Sequence, residues 1–360
     1  MLLMPSISYG GAHKMIVWVA NQIDKNYDVV IGVYYSIDTD YVLDDDIELK
    51  CMNIKRYSNP IISNTIGLLN TEVKIIKFIL KEKPSIVMTF GDIFSSLLLP
   101  LIKRLGYELI ACERNNPNID MPYGLGSLRK KLFSYADRCA FQTEDAKNVY
   151  DINVQRKSCV IPNPVTLNFT TPPSWGDRRK EISFVGRFEI KQKRQDIMLE
   201  AFEIIFRKHP EYTLVFYGDG EDLQKVKDIS KQLSSSKNIR FAGRVKDVMN
   251  AIRGSSIFVL TSDYEGIPNT LIEAMAVALP SIATDCAPGG ARMLLGNNTY
   301  GLIVKRGDSN AIAESVIYLL DHPYEAEMLG LQAQKSCERF EPKKIAKMWN
   351  SFIVDGSVSC

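Results

Sequence analysis

Short apolar runs recur along the chain, and each ends in Gly, Asp, Ser or Asn before a segment of helical period. This alternation is typical of repeated βα units, which build parallel sheets. In the first half it predicts strands at LLMPSI, DVVIGVYY, SIVMTFG, YELIACE and RCAFQT, with helices such as GAHKMIVWVANQI between them. In the second half it predicts strands at EISFVGR, TLVFYGDG, IRFAG, SIFVLTS, PSIATDC and GLIVK. The expected fold class is α/β, with two Rossmann-like domains.

A linker is predicted from Asn163 to Gly176, a stretch with three prolines and neither helical nor strand period. The predicted organisation is an N-terminal Rossmann-like domain over residues 1–163 and a C-terminal one over 164–338. A last helix within 339–360 is placed to cross back to the N-terminal domain. Doubly wound sheets bind ligands outside the carboxyl ends of their strands, so we expect the two domains to face each other across a cleft.

Composition supports two packed cores and excludes several classes of protein. The 360 residues are 46% hydrophobic and 24% charged, and the net charge of +2 is too small for a typical nucleic-acid binder. The seven cysteines are scattered without a C-x-x-C pair, which favours a reduced, cytoplasmic chain without structural zinc. No apolar run approaches the roughly 18 residues that a membrane span needs. Any work at a membrane is therefore expected from its cytosolic surface.

The segment SDYEGIPNTLIEAM follows the predicted strand SIFVLTS and opens a helix near Asn269. It places Glu265 in the strand-to-helix loop and Glu273 about one turn into the helix. A carboxylate has two acceptor oxygens and can bind the neighbouring hydroxyls of a ribose or a pyranose. From spacing alone, the pattern favours an acidic residue stabilised by the helix dipole together with a surface acid.

The segment FVGRFEIKQKRQD also ends a strand and carries Arg187, Lys191, Lys193 and Arg194 into a helix. Positive side chains at a helix N-terminus suit a diphosphate, because the dipole and the free amides add to the same attraction. A diphosphate is the leaving group expected in transfer from a nucleotide sugar. A basic loop of this kind is also typical of a solvated face.

Glycine turns and a pair of aspartates complete the candidates. The turns at GGA (Gly10 to Ala12), GDG (Gly218 to Gly220) and PGG (Pro288 to Gly290) could bring backbone amides close to a phosphate, although a tight βα turn explains each of them. Asp38 and Asp40 form a D-x-D pattern in a polar loop far from the phosphate loops. We expect no metal there and no cofactor elsewhere.

Taken together and in this order, VGR, QKRQD, YGDG, EGIPNTLIEAM and TDCAPGG resemble the donor-binding domain of the family 4 glycosyltransferases. These are retaining enzymes with the two-domain GT-B fold. The resemblance covers nearly all of Glu181 to Ile317. The first half is similar, through GGAHKMIVWVAN and ERNNP, to bacterial enzymes of capsule and surface polysaccharide assembly.

The resemblance implies a role for each matching position. Arg187 and Lys193 would bind the diphosphate of the donor, and Glu265 would face its sugar and act with them in catalysis. Glu273 would bind the ribose hydroxyls. Arg114 and Asn115, from ERNNP, would lie on the acceptor side. Further donor contacts are implied for Gly10, Gly11, Gly186, Gly218, Gly266, Ile267, Asn269 and Thr270.

Three departures from the family pattern affect these roles. The region where many members have a histidine in the first domain reads ACERNNP here, so the residue that replaces it is open. Pro268 stands where many members have glycine, and it has no amide to offer a sugar hydroxyl. Asn269 or Ile267 would then supply that contact. The loop after Arg187 is also one residue longer than the commonest spacing.

The function expected from the resemblance is transfer of a hexose or N-acetylhexosamine, with retention, from a UDP-sugar to a lipid-linked or growing surface polysaccharide. The alternatives are a nucleotide-sugar epimerase of the same fold and a non-catalytic nucleotide-sugar-binding subunit. We also expect the segment GLGSLRKKLFSYA to form a helix with a basic face at Arg129, Lys130 and Lys131 beside apolar residues. That composition suits peripheral contact with an anionic membrane, although an amphipathic helix packed on the sheet has the same pattern.

Overall fold

The computed structural model describes residues 1–7, 11–38, 41–54, 68–90, 93–118, 125–167 and 171–356. They belong to two compact units. The first unit contains residues 1–163 and 343–360, and the second contains residues 164–342. Helix Pro342–Ile353, near the C-terminus, packs in the core of the first unit through Ile345, Trp349, Phe352 and Ile353.

The described part of the first unit holds a sheet in which every pairing is parallel, with the order β3-β2-β1-β4-β5-β6-β7. Its strands are β1 Leu2–Ile7, β2 Val29–Ile37, β3 Ile47–Cys51, β4 Ile86–Phe90, β5 Glu108–Cys112, β6 Arg138–Phe141 and β7 Ser158–Val160. Its helices are α1 Gly11–Gln22, α2 Leu68–Glu82, α3 Ile93–Arg104, α4 Leu125–Leu132, α5 Glu144–Asn148, α6 Ile152–Gln155 and, from the C-terminus, α15 Pro342–Ile353.

The helices of the first unit cover both faces of its sheet. α1 and α15 pack on one face, where Trp349 is 1% exposed. α2 and α3 pack on the other face through side chains such as Ile75, Ile79, Leu98 and Ile102. Central strands such as LIAC in β5 are buried on both faces, which explains their continuous apolar sequence.

The described part of the second unit holds a second all-parallel sheet, in the order β10-β9-β8-β11-β12-β13. Its strands are β8 Arg179–Val185, β9 Thr213–Tyr217, β10 Ile239–Gly243, β11 Ser255–Leu260, β12 Ser281–Thr284 and β13 Leu302–Val304. Its helices are α7 Ile190–Lys193, α8 Gln195–Lys208, α9 Leu223–Ser230, α10 Val248–Ile252, α11 Asn269–Ala276, α12 Gly290–Leu295, α13 Ser309–Asp321 and α14 Pro323–Ser336. Both sheets have the doubly wound order of a Rossmann-like domain, so the predicted fold class is confirmed.

Every strand predicted from the apolar runs is present, but the predicted set was incomplete. β3 and β7 were not predicted. Both are edge strands, and the sequence of β3, IELKC, is half polar because only one of its long sides is paired. β7 has three residues, too few for a recognisable period.

A buried carboxylate near the amino end of β8 ties several strands of the second unit together. Glu181 accepts hydrogen bonds from Tyr217 Oη at 2.8 Å, Ser255 Oγ at 2.7 Å and Arg240 at 3.0 Å. Burial acts to raise the pKa of Glu181, but hydrogen bonds from Arg179, Ser255 and Tyr217 outweigh it and lower that pKa. This cluster lies at the end of the strand opposite to the candidate site and stabilises the fold.

The cysteines differ in state. Cys51, Cys112, Cys139, Cys286 and Cys337 are free thiols, and burial raises the pKa of Cys286 to about 12. Cys159 takes part in a disulfide, so the expectation of a fully reduced chain is wrong at that position.

Within the described ranges, none of the helices combines the length and the apolar character needed to cross a bilayer.

Candidate functional site

Two loops of the second unit meet where its strand order reverses. β8 and β11 are neighbours in the sheet, although β9 and β10 separate them in sequence. The loop after β8 begins at Gly186, and the loop after β11 runs from Thr261 to Pro268. In doubly wound sheets, ligands bind outside the carboxyl ends of the strands at this reversal. The structure places three predicted catalytic residues here: Arg187, Lys193 and Glu265.

The carboxylate of Glu265 is buried, and neighbouring side chains bind one of its two oxygens. The residue is 7% exposed. Lys193 Nζ forms an ion pair with Oε1, and Ser262 Oγ donates a hydrogen bond of 2.7 Å to the same atom. Oε2 makes no hydrogen bond with any residue in the described ranges. Since each carboxylate oxygen can accept two hydrogen bonds, Oε2 can accept one from a ligand hydroxyl.

Hydrogen bonds between the two loops fix the position of Glu265. Thr261 Oγ1 donates to the carbonyl oxygens of Lys193 at 2.7 Å and Arg194 at 2.9 Å. Gln192 Nε2 donates to the Tyr264 carbonyl at 3.0 Å, and the Asp263 amide donates to the Gln192 carbonyl at 2.8 Å. These bonds hold Lys193 and Glu265 together before any ligand binds.

Of the four basic residues after β8, Lys191, Lys193 and Arg194 have different surroundings, which the sequence did not distinguish. Lys193 faces Glu265, and its side chain is 16% exposed. Arg194 adopts left-handed backbone angles, with φ 51°, and pairs with Asp196 at 3.0 Å and Asp263 at 3.2 Å. Lys191 is exposed to solvent. Of the three, only Lys193 contacts the candidate catalytic carboxylate.

Arg187 lies at the exposed side of the same loop. Its side chain is 66% exposed and pairs with Glu189 at 2.7 Å. Gln195, which is completely buried, donates a hydrogen bond to the Arg187 carbonyl at 2.8 Å and so fixes the backbone beneath it. An exposed ion pair of this kind contributes little stability, so the guanidinium can exchange Glu189 for another anion at low cost.

Close approaches of the backbone explain two of the glycine turns. A Cβ on Gly218 would lie 2.0 Å from the Gly186 carbonyl oxygen, and one on Gly290 would lie 2.0 Å from the Gly266 carbonyl oxygen. Either substitution would force the loops apart. The packing of the loops therefore accounts for these glycines. Donor contacts by Gly186, Gly218 and Gly266 remain predictions.

The helix after the Glu265 loop begins as the sequence indicated. α11 starts at Asn269, directly after Pro268, whose carbonyl oxygen accepts from the Leu271 amide at 3.0 Å. Ile267 is 5% exposed. Asn269, Thr270 and Glu273 are half-buried. Glu273 thus lies one turn into the helix, and its contact with a ribose remains a prediction.

In the first unit, Arg114 and Asn115 follow β5 at the carboxyl edge of the sheet. The Arg114 guanidinium donates to the Asn163 side chain and lies 5.8 Å from the centre of the Trp349 ring. Burial lowers the pKa of Arg114 to about 10, so it stays charged at neutral pH. Asn115 is exposed, and its amide donates to Glu113 Oε1 at 3.1 Å. Gly10 lies outside the described residues, and Gly11 begins α1.

The basic face predicted for the segment GLGSLRKKLFSYA needs correction. Arg129 is 3% exposed and pairs with the buried carboxylate of Glu113, which also accepts from Tyr150 Oη at 3.0 Å. Phe133 is 1% exposed and belongs to the core. Arg129 and Phe133 therefore stabilise the fold and are not available to a membrane.

No metal centre is found among the described residues, where no group of three or more His, Cys, Asp or Glu side chains is placed to hold an ion. Asp38 is exposed, and Asp40 lies outside the described ranges.

The comparisons with known proteins identify the kind of domain that carries these loops. Residues 171–336 match the family of glycosyl transferases group 1. An uncharacterized glycosyltransferase of Methanocaldococcus jannaschii is 29% identical over 63% of this chain, a match that spans 62% of that relative and so less than two thirds of its length. Residues 171–336 therefore form a glycosyltransferase group 1 domain.

Two further comparisons cover nearly the whole of this glycosyltransferase. A Campylobacter jejuni protein, named GalNAc-alpha-(1->4)-GalNAc-alpha-(1->3)-diNAcBac-PP-undecaprenol alpha-1,4-N-acetyl-D-galactosaminyltransferase, is 24% identical over 98% of this chain and 97% of its own. The crystal structure of Anabaena HepE in complex with UDP and glucose aligns with a TM-score of 0.79 at 14% identity, over 100% of this chain and 99% of that one. The family resemblance and the GT-B fold predicted from the sequence are confirmed.

Sequence reasoning missed the residues that support the site of this glycosyltransferase. Ser262, Thr261 and Thr284 are completely buried hydroxyl residues at the carboxyl ends of β11 and β12. Thr284 Oγ1 donates to the Ser262 carbonyl at 2.6 Å. The available signal was a polar residue at the end of each apolar run, directly before the candidate loop. In a buried strand, such hydroxyls need partners, which here are the loops that carry Lys193 and Glu265.

Proposed function

We propose that this glycosyltransferase moves a hexose or N-acetylhexosamine from a UDP-sugar to a lipid-linked or growing surface polysaccharide, with retention of the anomeric configuration. The observation that carries the proposal is the Glu265 carboxylate, whose Oε1 is held by Lys193 and Ser262 while Oε2 makes no hydrogen bond within the described residues. An oriented, buried carboxylate can bind a sugar hydroxyl with a charge-assisted hydrogen bond.

The charges around Glu265 suit departure of a diphosphate. The bond between the anomeric carbon and the diphosphate oxygen breaks, and negative charge develops on the leaving group. Lys193 and Arg187 are the cations of this loop placed to balance it, as fixed charges do in electrostatic catalysis. Glu273 is proposed to bind the ribose. Since the charge is met by side chains, the proposed reaction uses no metal.

The donor and acceptor classes are supported by relatives. HepE has been crystallised with UDP and glucose, and the Campylobacter relative is named for a substrate on PP-undecaprenol. An acceptor of this type would be met at the cytosolic face of a membrane. Arg114 and Asn115, at the carboxyl edge of the first sheet, are proposed to lie on the acceptor side.

The donor can be tested by thermal unfolding of the purified chain with UDP, GDP, ADP and their sugars. A ligand at 100 times its Kd stabilises by about 2.7 kcal/mol, so UDP and its sugars should raise the melting temperature most. A larger shift with GDP or ADP would contradict the proposed donor. Sugar transfer is then followed by NMR, and an inverted anomeric product would contradict retention.

Glu265→Gln tests the site. We expect turnover to be lost while UDP affinity stays nearly unchanged, because the proposed partner of Glu265 is the sugar. Glutamine keeps the size of the side chain and removes its charge. Lys191→Gln is the matched control, since Lys191 lies in the same loop region but is exposed and does not contact Glu265. Near-normal turnover of Glu265→Gln would refute the assignment.

A further inference from the structure

An outward surface of the first unit combines exposed apolar side chains with basic side chains that have no ionic partner among the described residues. α2 and α3 pack side by side on the same face of the sheet. Of the fifteen large hydrophobic side chains that are exposed in the described ranges, five lie on or directly after these two helices, at Leu69, Val73, Leu80, Leu101 and Leu105. Single exposed apolar residues are ordinary, but a group on neighbouring helices marks an interaction surface. We call the surface formed by these residues the α2–α3 face.

The apolar residues of α2 form a stripe along its solvent side. Ile75 and Ile79 point into the core and are 0% exposed. Leu69, Val73 and Leu80 lie on the opposite side and are 63%, 50% and 45% exposed. Their spacing follows the turns of a helix, so α2 is apolar on its inner and outer sides. The inner side is explained by the core, and the outer side has no partner among the described residues.

The charge of this surface is strongly positive, whereas the whole chain is nearly neutral. α2, α3 and the adjoining α4 contain eight lysine or arginine residues and two acidic residues. One acid, Glu82, has a side chain that is 14% exposed and pairs with Lys50 at 2.7 Å. The other, Glu72, is half-buried, and burial raises its pKa. The two acids balance two of the eight basic residues, so the three helices keep a net positive charge.

Four of the basic residues are exposed and have no ionic partner in the described part of the chain. They are Lys77 and Lys81 on α2, Arg104 at the end of α3, and Lys131 on α4. Arg129 is excluded because it is buried against Glu113. Long basic side chains beside exposed leucines can lay their methylene groups along an apolar boundary while their charges meet phosphate groups.

We propose that the α2–α3 face docks this glycosyltransferase on an anionic lipid bilayer. The occupant is argued from charge complementarity: an acidic headgroup layer supplies the negative charge that Lys77, Lys81, Arg104 and Lys131 lack. The exposed apolar residues of the α2–α3 face can insert into the headgroup region and supply the second attraction. Two such attractions are what stable but reversible membrane binding needs. The proposal rests on the proposed function in one respect: a lipid-linked acceptor would be met at the surface of the membrane.

Flotation of the full chain with vesicles tests the docking. We expect the wild type to float with vesicles of phosphatidylglycerol and phosphatidylcholine in equal amounts at low salt, and not with phosphatidylcholine alone. Lys77→Glu combined with Lys81→Glu should reduce the bound fraction roughly tenfold or more. Val73→Ser combined with Leu80→Ser should reduce it as well, because the apolar contact is lost.

A matched control removes exposed apolar side chains elsewhere. Tyr324 and Met328 on α14 of the second unit are 74% and 38% exposed. Tyr324→Ser combined with Met328→Ser should float like the wild type. Thermal unfolding of each variant with UDP checks that the second unit is folded and binds nucleotide. A failure to bind UDP would count against the proposed function and would leave the flotation result valid.

Three results would overturn the docking surface. One is a wild type that does not float with anionic vesicles at low salt. Another is equal flotation of the wild type and both α2 variants. The third is a wild type that does not bind vesicles but forms a concentration-dependent dimer in sedimentation, which Val73→Ser combined with Leu80→Ser abolishes. The face would then bind a second copy of the chain.

Discussion

The contact between Lys193 and Glu265 gives the sharpest prediction for stability. Replacing Lys193 with methionine keeps most of the side-chain volume and leaves the Glu265 carboxylate buried without its cation. Ser262 would remain as a hydrogen-bond donor to Oε1, but a single hydroxyl cannot balance a full charge. We therefore expect Lys193→Met to destabilise the second unit even in the absence of ligand.

The size of the loss follows from burial. The side chains of Lys193 and Glu265 are 16% and 10% exposed, so water screens the pair little. Removing one partner of a buried pair costs about 3–5 kcal/mol, and the residual exposure favours the lower end. At about 3 kcal/mol, and with about 2–4 °C for each kcal/mol in a domain of this size, the melting temperature should fall by about 6–12 °C.

Removing both charges should cost less than removing the lysine alone. In the double variant Lys193→Met with Glu265→Gln, no unpaired carboxylate remains. Glu265→Gln alone should lower the stability only slightly, since the flexible lysine can turn its ammonium group towards water. The double variant should therefore melt above Lys193→Met, and the two substitutions should be non-additive by about 1–3 kcal/mol.

Thermal unfolding of the four proteins at neutral pH, without nucleotide, measures this double-mutant cycle. Lys191→Met is the control, because Lys191 lies in the same short helix, α7, but is exposed, and its melting temperature should match the wild type. Additive losses, within about 0.5 kcal/mol, would refute the reasoning, because they would mean that Lys193 and Glu265 do not interact energetically.

Three further outcomes are expected. Glu273→Ala should weaken UDP affinity by about 1.5–3 kcal/mol in titration calorimetry, and an unchanged affinity would place Glu273 outside the site. Activity should survive EDTA, whereas a loss restored by manganese would favour the Asp38 and Asp40 pair. Because the pKa of Glu181 is lowered from 4.5 on folding, its stabilisation is present above about pH 4.5 and is lost as pH falls through the folded pKa. The difference in melting temperature between the wild type and Glu181→Gln should disappear in that range. A constant difference would contradict the stabilising role assigned to ionised Glu181.

The interior strands could be predicted from the sequence because burial on both faces leaves a continuous apolar run. TLVFY in β9 and SSIFVL in β11 are examples, and their positions fixed where the loops after them had to lie. The edge strands could not be predicted in the same way. β3 has a solvated side and a mixed sequence, and its pairing with β2 depends on a neighbour that lies elsewhere in the chain.

The sequence predicts the positions of the candidate site residues, but not the contacts around them. The place of Arg187, Lys193 and Glu265 after strands, together with the family resemblance, predicts their position. The contrast between Lys193, which faces Glu265, and Arg194, which pairs with Asp196 and Asp263, was not predictable. It depends on the left-handed backbone at Arg194, which turns the two neighbouring side chains in different directions.

Arg129 shows the limit of reading charge from a helical period. The sequence placed it on a basic face, and the structure buries it against Glu113. The helical period predicted for this segment is present in α4. The period does not reveal which side of the helix contacts a buried acid that follows a strand elsewhere in the chain. Glu113 directly follows β5, so its carboxylate could be expected near the sheet, but its partner could only be found in three dimensions.

The arrangement around Lys193 explains how one cation can serve both reacting parts of a donor. Under the proposed function, an arriving diphosphate would compete with Glu265 for Lys193. An ammonium group has three N–H donors, so it can keep its bond to Oε1 while donating to a phosphate oxygen. The stem of Lys193 passes 3.7 Å from the position of a Cβ on Gly186, so the lysine crosses the start of the loop that would carry the phosphates. Glu265 would then stay oriented by Lys193 and Ser262 while Oε2 accepts from the sugar, and the same lysine would couple the position of the carboxylate to that of the leaving group.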